Sequence, residues 1–351
     1  MSEQIQIGLV GLGWVGKARH LPTILADRQL HLIGVADRNG DHAHALAQNL
    51  PGVRAGIGSR LSEIEWIDEV DAISIATAPM AHHDLVREAL DRGLHVITEK
   101  PFAMSVSEGR AMLEDAKRVN KCLAVVHNFQ FARSMQLLAR DLRKGRLGAL
   151  RGIRAVQLGN PSRRLPTWYE QLPLGLFYDE SPHLLYLLSS VAGPLTLTKA
   201  VCAQSRQSVA TPSQIDAWFT AAGAEYPITL SCNFEASLSE WYLAVHGEKG
   251  VGIVDIFRDI YLRLPNDGTH STGNVIRTSL FATTQHWWQH LASGLPHLIG
   301  KLSYGNDKVF KRFGDAIAGD GNALAPIDAS AAQHILELQH AIIEKREKAY
   351  L

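Results

Sequence analysis

The residue whose type and context most directly suggest chemistry is Lys100, in the run Glu99-Lys100-Pro101. This run directly follows residues 95–98, which contain two β-branched aliphatic residues and a threonine. A proline disfavours a helical conformation in the preceding residue, so Lys100 is expected in an extended turn at the carboxyl end of a strand. In open α/β sheets that end faces the ligand crevice. We therefore expect the rest of the chain to bring a cofactor and a substrate to Lys100.

A second pair with chemical potential is Asp179 and His183, which lie four residues apart. On a helix this spacing presents both side chains on one face. The carboxylate can orient the imidazole and stabilise its charged form, while the ring accepts a proton. The same spacing fits a polar pair on a solvated turn, and Pro182 argues against a regular helix there. From the spacing alone, the polar pair on a solvated or capping turn is the favoured interpretation.

Residues 11–16 read Gly-Leu-Gly-Trp-Val-Gly and fit the pattern GxGxxG. An apolar run over 5–10 predicts a buried strand before them, and a helical pattern over 18–25 follows. A second predicted strand, 30–36, ends at Asp37, about 20 residues after the glycines. This is the context of a dinucleotide-binding fingerprint. A glycine-rich turn in a non-binding α/β unit is the alternative.

Each part of the fingerprint has a physical role. Gly11, Gly13 and Gly16 let backbone N–H groups approach a pyrophosphate at a helix N-terminus. Asp37 would accept hydrogen bonds from the adenosine ribose, which favours NAD because its charge would repel a 2′-phosphate. Arg38 could instead hold that phosphate, so NADP stays possible; the alternative for Arg38 is a solvated surface residue.

Composition limits the function classes. The chain has 351 residues, 46% hydrophobic and 20% charged, which suggests about two globular domains. Its 35 basic and 35 acidic residues give a formal net charge of zero, which argues against nucleic-acid or membrane-surface partners. Three scattered cysteines without a CxxC argue against a disulfide scaffold or zinc site and fit the cytoplasm. We expect no signal peptide and no membrane span.

The order of predicted elements indicates the fold class. Strands alternate with helices up to about residue 125, which predicts a Rossmann-type, doubly wound parallel sheet. Beyond it, strand patterns follow one another without helices between them, which predicts an α+β domain with a largely antiparallel sheet. The predicted domains are 1–125 for the dinucleotide and 126–351 for substrate and oligomerisation, with the C-terminal helix able to pack back on the first. In the second half we predict helices over 129–144, 177–188, 279–299, 307–318 and 328–345, and strands over 150–158, 195–203, 216–222, 228–235, 241–247, 250–256 and 260–264.

Taken together, these motifs resemble the glucose–fructose oxidoreductase/inositol dehydrogenase family (Gfo/Idh/MocA), over roughly residues 4 to 345. The Glu-Lys-Pro turn, at its distance from a fingerprint and from a later Asp-x-x-x-His, is the most specific part of the match. The matching pieces, in chain order, are 11–16, Asp37, Thr77 with His82, 93–101, His127-Asn128, and Asp179 with His183.

The resemblance implies a Rossmann domain followed by an open-faced α/β domain whose sheet often forms an oligomer interface. It implies NAD(P)-dependent transfer of hydride between nicotinamide and a hydroxyl or carbonyl carbon of a sugar, polyol or sugar derivative. Lys100 would hydrogen-bond the reacting hydroxyl, His183 would be the acid/base and Asp179 its partner. The Lys100–Pro101 bond is often cis in such proteins. The residues expected to bind the cofactor are Gly11, Gly13, Trp14, Val15, Gly16, Asp37, Arg38, Ala76, Thr77, His82, Glu99, Lys100, Pro101 and Asn128.

The chain departs from the family pattern mainly near the expected substrate site. The position three residues after His183 is often acidic or histidine, but here it is Tyr186. Ser181 stands where glycine is usual, and Gln130 stands where arginine is common. The substrate therefore cannot be inferred from a familiar member.

A predicted loop over 160–173 contains Arg163, Trp168 and Tyr169. An arginine fork suits an anionic substrate group and an aromatic face suits a sugar ring. A surface loop anchored by its tryptophan is the equal alternative. His286 and His290 are one helical turn apart but lack an accompanying glutamate and a third ligand, so we predict no metal site.

The leading hypothesis is a cytoplasmic NAD(P)-dependent dehydrogenase or reductase of a sugar-like substrate, acting as a homodimer or homotetramer. The main alternative is a non-catalytic NAD(P)-binding sensor, which the altered region 179–186 motivates. A third is a glycosidase that uses NAD transiently, since the same fold permits it.

Overall fold

The computed structural model describes residues 4–298 and 303–348, which form two compact units. The first unit contains the chain up to Asn128 together with Asn306–Glu337, and the second contains Phe129–Gly305 and the chain from Leu338. The last residue of the predicted helix 279–299 lies outside the described residues. Within them, no helix is both long enough and apolar enough to cross a membrane.

The helices and strands are as follows. The strands are β1 (Ile5–Val10), β2 (Leu30–Asp37), β3 (Arg54–Ile57), β4 (Ala72–Ile75), β5 (His95–Thr98), β6 (Leu123–Val125), β7 (Leu150–Leu158), β8 (Leu195–Ala203), β9 (Gln214–Ala221), β10 (Ile228–Asn233), β11 (Glu240–Gly247), β12 (Gly250–Asp255), β13 (Ile260–Pro265) and β14 (Glu347–Lys348). The α-helices are α1 (Leu21–Ala26), α2 (Gly40–Ala47), α3 (His82–Asp91), α4 (Val106–Arg118), α5 (Arg133–Arg143), α6 (Leu176–Ala192), α7 (Thr272–Leu298), α8 (Asn306–Ile317) and α9 (Ala329–Lys345). Sequence patterns missed α2 and β3 and placed the start of α7 seven residues too late.

The sheet of the first unit is parallel throughout, in the order β3-β2-β1-β4-β5-β6. This is the doubly wound order of dinucleotide-binding folds, and the strand order reverses between β1 and β4. Gly8 and Gly34 admit the fully buried ring of Trp66, since a Cβ on either would lie 2.3 Å from its atoms. The predicted Rossmann fold is confirmed.

The sheet of the second unit has the order β13-β12-β11-β7-β10-β9-β8-β14. Neighbouring strands are antiparallel except for the parallel pairs β7–β10 and β8–β14. Buried and half-buried residues alternate along β10 and β12, so one face of the sheet is packed and the other is more open. The predicted α+β domain with a largely antiparallel sheet is confirmed.

Helix α6 carries Asp179 and His183 and is continuous through Pro182. A proline inside a helix removes the N–H that would bond the carbonyl four residues earlier, here that of Tyr178. Gln339 Nε2 donates to this carbonyl oxygen at 2.7 Å and also to Ser181 Oγ at 2.9 Å. The buried amide of Gln339 thus replaces the missing backbone donor, so the helix continues to His183.

We predict that Gln339→Leu destabilises the second unit by about 1–3 kcal/mol, because it leaves the Tyr178 carbonyl buried without this donor. In a Pro182→Ala background residue 182 regains its N–H, so the same substitution should be markedly less destabilising. Urea denaturation of the four variants of this double-mutant cycle measures the difference. Equal losses in both backgrounds would contradict the explanation.

Candidate functional site

The glycine-rich turn after β1 is built so that only glycine fits at two of its three positions. Gly11 has φ of +95°, and a Cβ there would lie 2.6 Å from the Ala76 carbonyl carbon. A Cβ on Gly16 would lie 2.0 Å from Gly11 O. At Gly13 an added Cβ would meet nothing within 4 Å. The first and third glycines therefore permit close packing, while the second leaves open space beside the backbone.

This cradle fits the pyrophosphate of a dinucleotide, which needs backbone N–H groups without side chains in front of them. Trp14 is half-exposed and Val15 half-buried at the start of the helical segment that follows. The Arg19 guanidinium lies 5.1 Å from the centroid of the Trp14 ring, within the range of a cation–π contact.

Asp37 ends β2, as the fingerprint requires, and its carboxylate lies against the glycine turn. Leu12 N donates to Asp37 Oδ2 at 2.7 Å and Asn39 N donates to Oδ1 at 2.9 Å. These bonds fix a half-buried acceptor at the position expected for the adenosine ribose. Arg38 beside it is exposed, so the two interpretations of this arginine stay open.

Strand β4 ends at the switch point, where buried Ala76 and half-buried Thr77 follow it. Ala76 N donates to Val10 O at 2.7 Å, which holds this turn against the end of β1. The ring of buried His82 places Nδ1 2.8 Å from Pro101 O and Nε2 3.2 Å from Thr77 O. Burial lowers the pKa of His82, although its contacts with these carbonyl oxygens oppose that effect. His82 thus links the turns that follow β4 and β5.

Lys100 follows β5 and is half-buried, and the Lys100–Pro101 peptide bond is cis, as the family resemblance implied. Lys100 N donates to Oε2 of Glu99 at 3.1 Å, so the glutamate side chain folds back on its own turn. Glu99 itself is only 8% exposed. A buried carboxylate requires donors, and this one has a second partner in His20.

His20 is a residue of the site that the sequence analysis missed. It is fully buried at the end of a π-helical turn, Gly16–His20, which begins at the last glycine of the glycine-rich segment. Its Nε2 lies 2.9 Å from Glu99 Oε1 and its Nδ1 lies 2.7 Å from Ser74 Oγ. A hydroxyl can donate to Nδ1 while Nε2–H donates to the carboxylate, so the neutral ring satisfies both contacts. The sequence shows that His20 lies close to the glycines along the chain. It does not show that His20 contacts Glu99, which is 79 residues away.

Burial by itself would raise the pKa of Glu99. The hydrogen bond with His20, the positive charge of Lys100 and the hydrogen bond from the Lys100 backbone N–H outweigh burial, so the pKa of this carboxyl lies below its usual value. Glu99 is therefore a buried anion directly beside Lys100. It joins the helix after the glycine turn to the turn that carries the lysine.

His127 and Asn128 are buried at the end of the first unit. Burial lowers the pKa of His127 to about 3, and the charge of Glu99 opposes that effect only in part. His127 is therefore neutral in the folded protein at neutral and mildly acidic pH.

In the second unit, His183 is 8% exposed and lies among aromatic rings. Its ring centroid is 4.8 Å from that of Phe129 and 5.4 Å from that of Trp241. His183 Nδ1 lies 2.8 Å from the hydroxyl oxygen of Tyr186, which also accepts a hydrogen bond from Phe129 N at 3.0 Å. Tyr186, a departure from the family pattern, therefore fixes the orientation of the imidazole through Nδ1.

Asp179 is half-buried one turn before His183 on α6. Because the structure shows Tyr186 at Nδ1, a partnership of Asp179 with the imidazole stays a prediction. Lys100 belongs to the first unit, whereas Asp179 and His183 belong to the second.

The loop after β7 holds its arginine in place. Arg163 Nη2 donates to Glu180 Oε1 at 2.6 Å and Nη1 donates to Asn160 O at 2.9 Å. This guanidinium is already paired with a carboxylate, so it braces the loop against α6. Trp168 and Tyr169 are half-buried, and Tyr169 donates to Glu170 at 3.1 Å. Substrate contacts of these three residues stay predictions.

The histidines one turn apart in α7, His286 and His290, stack with ring centroids 6.2 Å apart. Across residues 4–298 and 303–348, no group of three or more candidate ligands could hold a metal ion.

Comparison with known proteins shows what the dinucleotide-binding part of this chain is similar to. Residues 5–127 match the family model GFO_IDH_MocA, described as "Oxidoreductase family, NAD-binding Rossmann fold". Over this segment the chain is similar to the Gfo/Idh/MocA family. The resemblance seen in the motifs is thereby confirmed, and so is NAD as the cofactor of the dinucleotide-binding fold.

Among curated proteins, the chain is 29% identical over 204 residues to an uncharacterised oxidoreductase, YdgJ, of Escherichia coli (strain K12), covering 56% of this chain and 57% of that protein. It is 27% identical over 213 residues to D-glucoside 3-dehydrogenase of the same organism, covering 60% of each. The chain spans between 47% and 60% of the length of the first relatives it matches.

Solved structures extend the likeness over almost the whole fold. The WlbA dehydrogenase from Bordetella pertussis, solved with NADH and UDP-GlcNAcA, superposes with a TM-score of 0.77 at 18% identity. The match covers 98% of this chain and 96% of that one. At this identity the likeness concerns the fold.

We predict that Gly13→Ala weakens NADH binding about tenfold, a loss of ~1.4 kcal/mol. The added methyl group has room in the protein but enters the space that a pyrophosphate would occupy. Titration of NADH fluorescence measures the affinity, and thermal unfolding shows whether stability is kept. Gly321→Ala, another glycine with no atom within 4 Å of an added Cβ, is the matched control. Unchanged affinity in Gly13→Ala would contradict the assignment of the cradle.

A second prediction concerns pH. Since the folded-state pKa of His127 is depressed, the unfolded chain binds a proton below pH ~6.5 that the folded chain does not. The contribution of His127 to the free energy of unfolding is therefore complete above that pH. It falls by about 1.4 kcal/mol per pH unit as the pH decreases towards 4. The substitution His127→Asn should remove this part of the dependence of the free energy of unfolding on pH. Denaturant titrations from about pH 7 to 4.5, with exposed His42→Asn as control, test this; parallel curves for wild type and His127→Asn would contradict it.

Proposed function

We propose that the protein is an NAD(P)-dependent oxidoreductase that transfers hydride between nicotinamide and a hydroxyl or carbonyl carbon of a sugar, polyol or sugar derivative. The observation that carries this proposal is the half-buried Lys100 beside the buried anion Glu99, on a turn tied by His20 to the helix of the nucleotide cradle. A lysine so fixed can donate a hydrogen bond to an oxygen that gains negative charge.

The relatives support this substrate class by name: D-glucoside 3-dehydrogenase and, in Bacillus subtilis, glucose-6-phosphate 3-dehydrogenase. NAD, when bound, supplies the hydride acceptor for oxidation and NADH the donor for reduction. The fixed carboxylate of Asp37 favours NAD over NADP.

In the oxidative direction, Lys100 hydrogen-bonds the reacting hydroxyl and stabilises its oxygen as the O–H bond breaks. His183 takes the hydroxyl proton, so that a carbonyl can form at that carbon. NAD, which the glycine turn and Asp37 would hold, would accept the hydride from the same carbon. Because Tyr186 engages Nδ1 of His183, we assign the proton exchange to Nε2. Asp179 is proposed to stabilise the charged ring. In this proposal the enzyme works in the cytoplasm as a homo-oligomer.

A non-catalytic NAD(P) sensor is the second candidate. The observation that favours it is in the second unit. There Tyr186, at a position that is often acidic or histidine in the family pattern, contacts His183, and Arg163 is already paired with Glu180. Such a protein would bind the cofactor without turnover.

Lys100→Ala is the test. The proposal expects turnover to fall by at least about a hundredfold, the lower range for loss of one oxyanion donor, while NADH affinity stays within a fewfold of wild type. Initial rates on a panel of sugars, polyols and glycosides with both cofactors give the measurement, and the exposed Lys117→Ala is the control. Equal turnover in Lys100→Ala would rule out these roles. Absence of turnover for wild type, with tight NADH binding, would favour the sensor; release of a sugar from a glycoside would identify a glycosidase.

A further inference from the structure

Helix α7 is amphipathic in the reverse of the usual sense. A surface helix normally turns its apolar stripe inward and its polar face to water. Here the residues that face the protein are mostly small or polar, whereas large apolar side chains lie outside. The half-buried or buried inward positions are Asn274, Thr278, Ala282, Gln285, Gln289, Ser293 and Pro296.

The polar inner face has a structural cause. Helix α7 packs along β13, the strand at one end of the eight-stranded sheet. Among the described residues, no strand pairs with the outer edge of β13. Gln285 Oε1 accepts from Arg263 N at 3.1 Å, and its Nε2 donates to Arg263 O at 3.1 Å. Gln289 Oε1 accepts from Tyr261 N at 2.9 Å, and its Nε2 bonds Tyr261 O. The helix therefore covers a strand edge with amide side chains, and its apolar residues are not needed for that packing.

The apolar residues of α7 form a continuous outer stripe. Successive residues of the stripe are four or seven positions apart along the helix. Thr284 and Gly294 lie on the same side of the helix, within the two seven-residue intervals. At about 100° per residue the stripe falls within an arc of roughly 60°, opposite Gln289. Their exposed fractions run from 54% to 84%. The outer stripe consists of Ile276, Leu280, Trp287, Leu291 and Leu298.

The exposed apolar area is large enough for a specific interface. Of the fifteen exposed large hydrophobic residues among those described, eight lie in α7, including the adjacent Trp287 and Trp288. At the observed exposures these eight residues, five in the outer stripe and three beside it, together present on the order of 800 Å², about what each partner contributes to an interface of standard size. Monomeric proteins rarely leave so much contiguous apolar surface in water.

The charge and spacing of the stripe indicate what covers it. Arg277 is the single Lys, Arg, Asp or Glu within Thr272–Leu298. Helices that lie on membranes have a polar face rich in Lys and Arg, and a charged protein partner would need a countercharge, so neither fits. Apolar positions repeating every three or four residues are the pattern by which one helix packs against another.

We propose that the outer stripe of α7 binds the outer stripe of a second copy of this chain. The contact is isologous, because the same surface serves both protomers across a two-fold axis. It differs from an assembly through the open face of the eight-stranded sheet, which the family resemblance implied.

The experiment measures the assembly mass of the full chain by sedimentation velocity and light scattering from about 0.5 to 50 μM. The test variant is Leu280→Glu/Leu291→Glu, with Leu280→Gln/Leu291→Gln as a milder second variant. The control is Ser279→Glu/His286→Glu, two exposed positions about 60° and 80° around the helix from the nearest residue of the stripe. We expect the test variant to have half the mass of wild type, or at least tenfold weaker association, while the control keeps the wild-type mass. Circular dichroism and NADH affinity should equal wild type in all variants.

Two outcomes overturn the proposal. One is a wild-type protein that stays monomeric over the whole range, in which case co-sedimentation with phosphatidylcholine–phosphatidylserine vesicles shows whether a membrane covers the stripe instead. The other is a wild-type oligomer whose mass and affinity survive in both stripe variants, which would place the interface on another face.

Discussion

The buried carboxylate of Glu99 is the constraint on which the first unit depends. A carboxylate with 8% exposure at the end of a central strand would be strongly destabilising without donors. Its donors are the Lys100 backbone N–H and His20, which reaches it because a π-helical turn begins at the last glycine of the glycine segment. Such π-turns are frequent at functional sites. The nucleotide cradle and the lysine turn are thereby held as one body, so that a cofactor seated on the first has a fixed relation to the second.

The second unit solves a related problem with amide side chains. Backbone polar groups that secondary structure leaves without partners must find them elsewhere. Gln339 supplies the donor that Pro182 lacks, which keeps α6 continuous up to His183. Gln285 and Gln289 do the same for the edge strand β13. In each case a polar residue in a packed position permits an irregular feature: a proline within a helix, and a helix whose apolar face is left outside.

Sequence similarity and fold similarity have different extents in this chain. The family model matches residues 5–127, whereas the likeness to solved structures covers 98% of the chain at 18% identity. The physical reason is that a shared dinucleotide imposes the same glycines and carboxylate, while a sheet-and-helix scaffold tolerates many sequences. Substrate chemistry therefore has to be sought in the second unit, around His183, Tyr186 and Trp241, where the family pattern gives least guidance.

The sequence by itself determined the parts that rest on local chemistry. Glycines, a strand-end carboxylate and a lysine before proline each act through neighbouring backbone, so the Rossmann order and the cofactor were predictable. Polar, short elements such as α2 and β3 lacked a periodic signal and were missed. Only the tertiary structure decided that His20 meets Glu99, that Tyr186 meets Nδ1 of His183, and that α7 turns its apolar stripe outward. The first is a contact between residues distant in sequence, the second depends on the side-chain rotamers of two neighbours on one helix, and the third is a choice of which face a helix buries. Packing rather than local pattern sets all three.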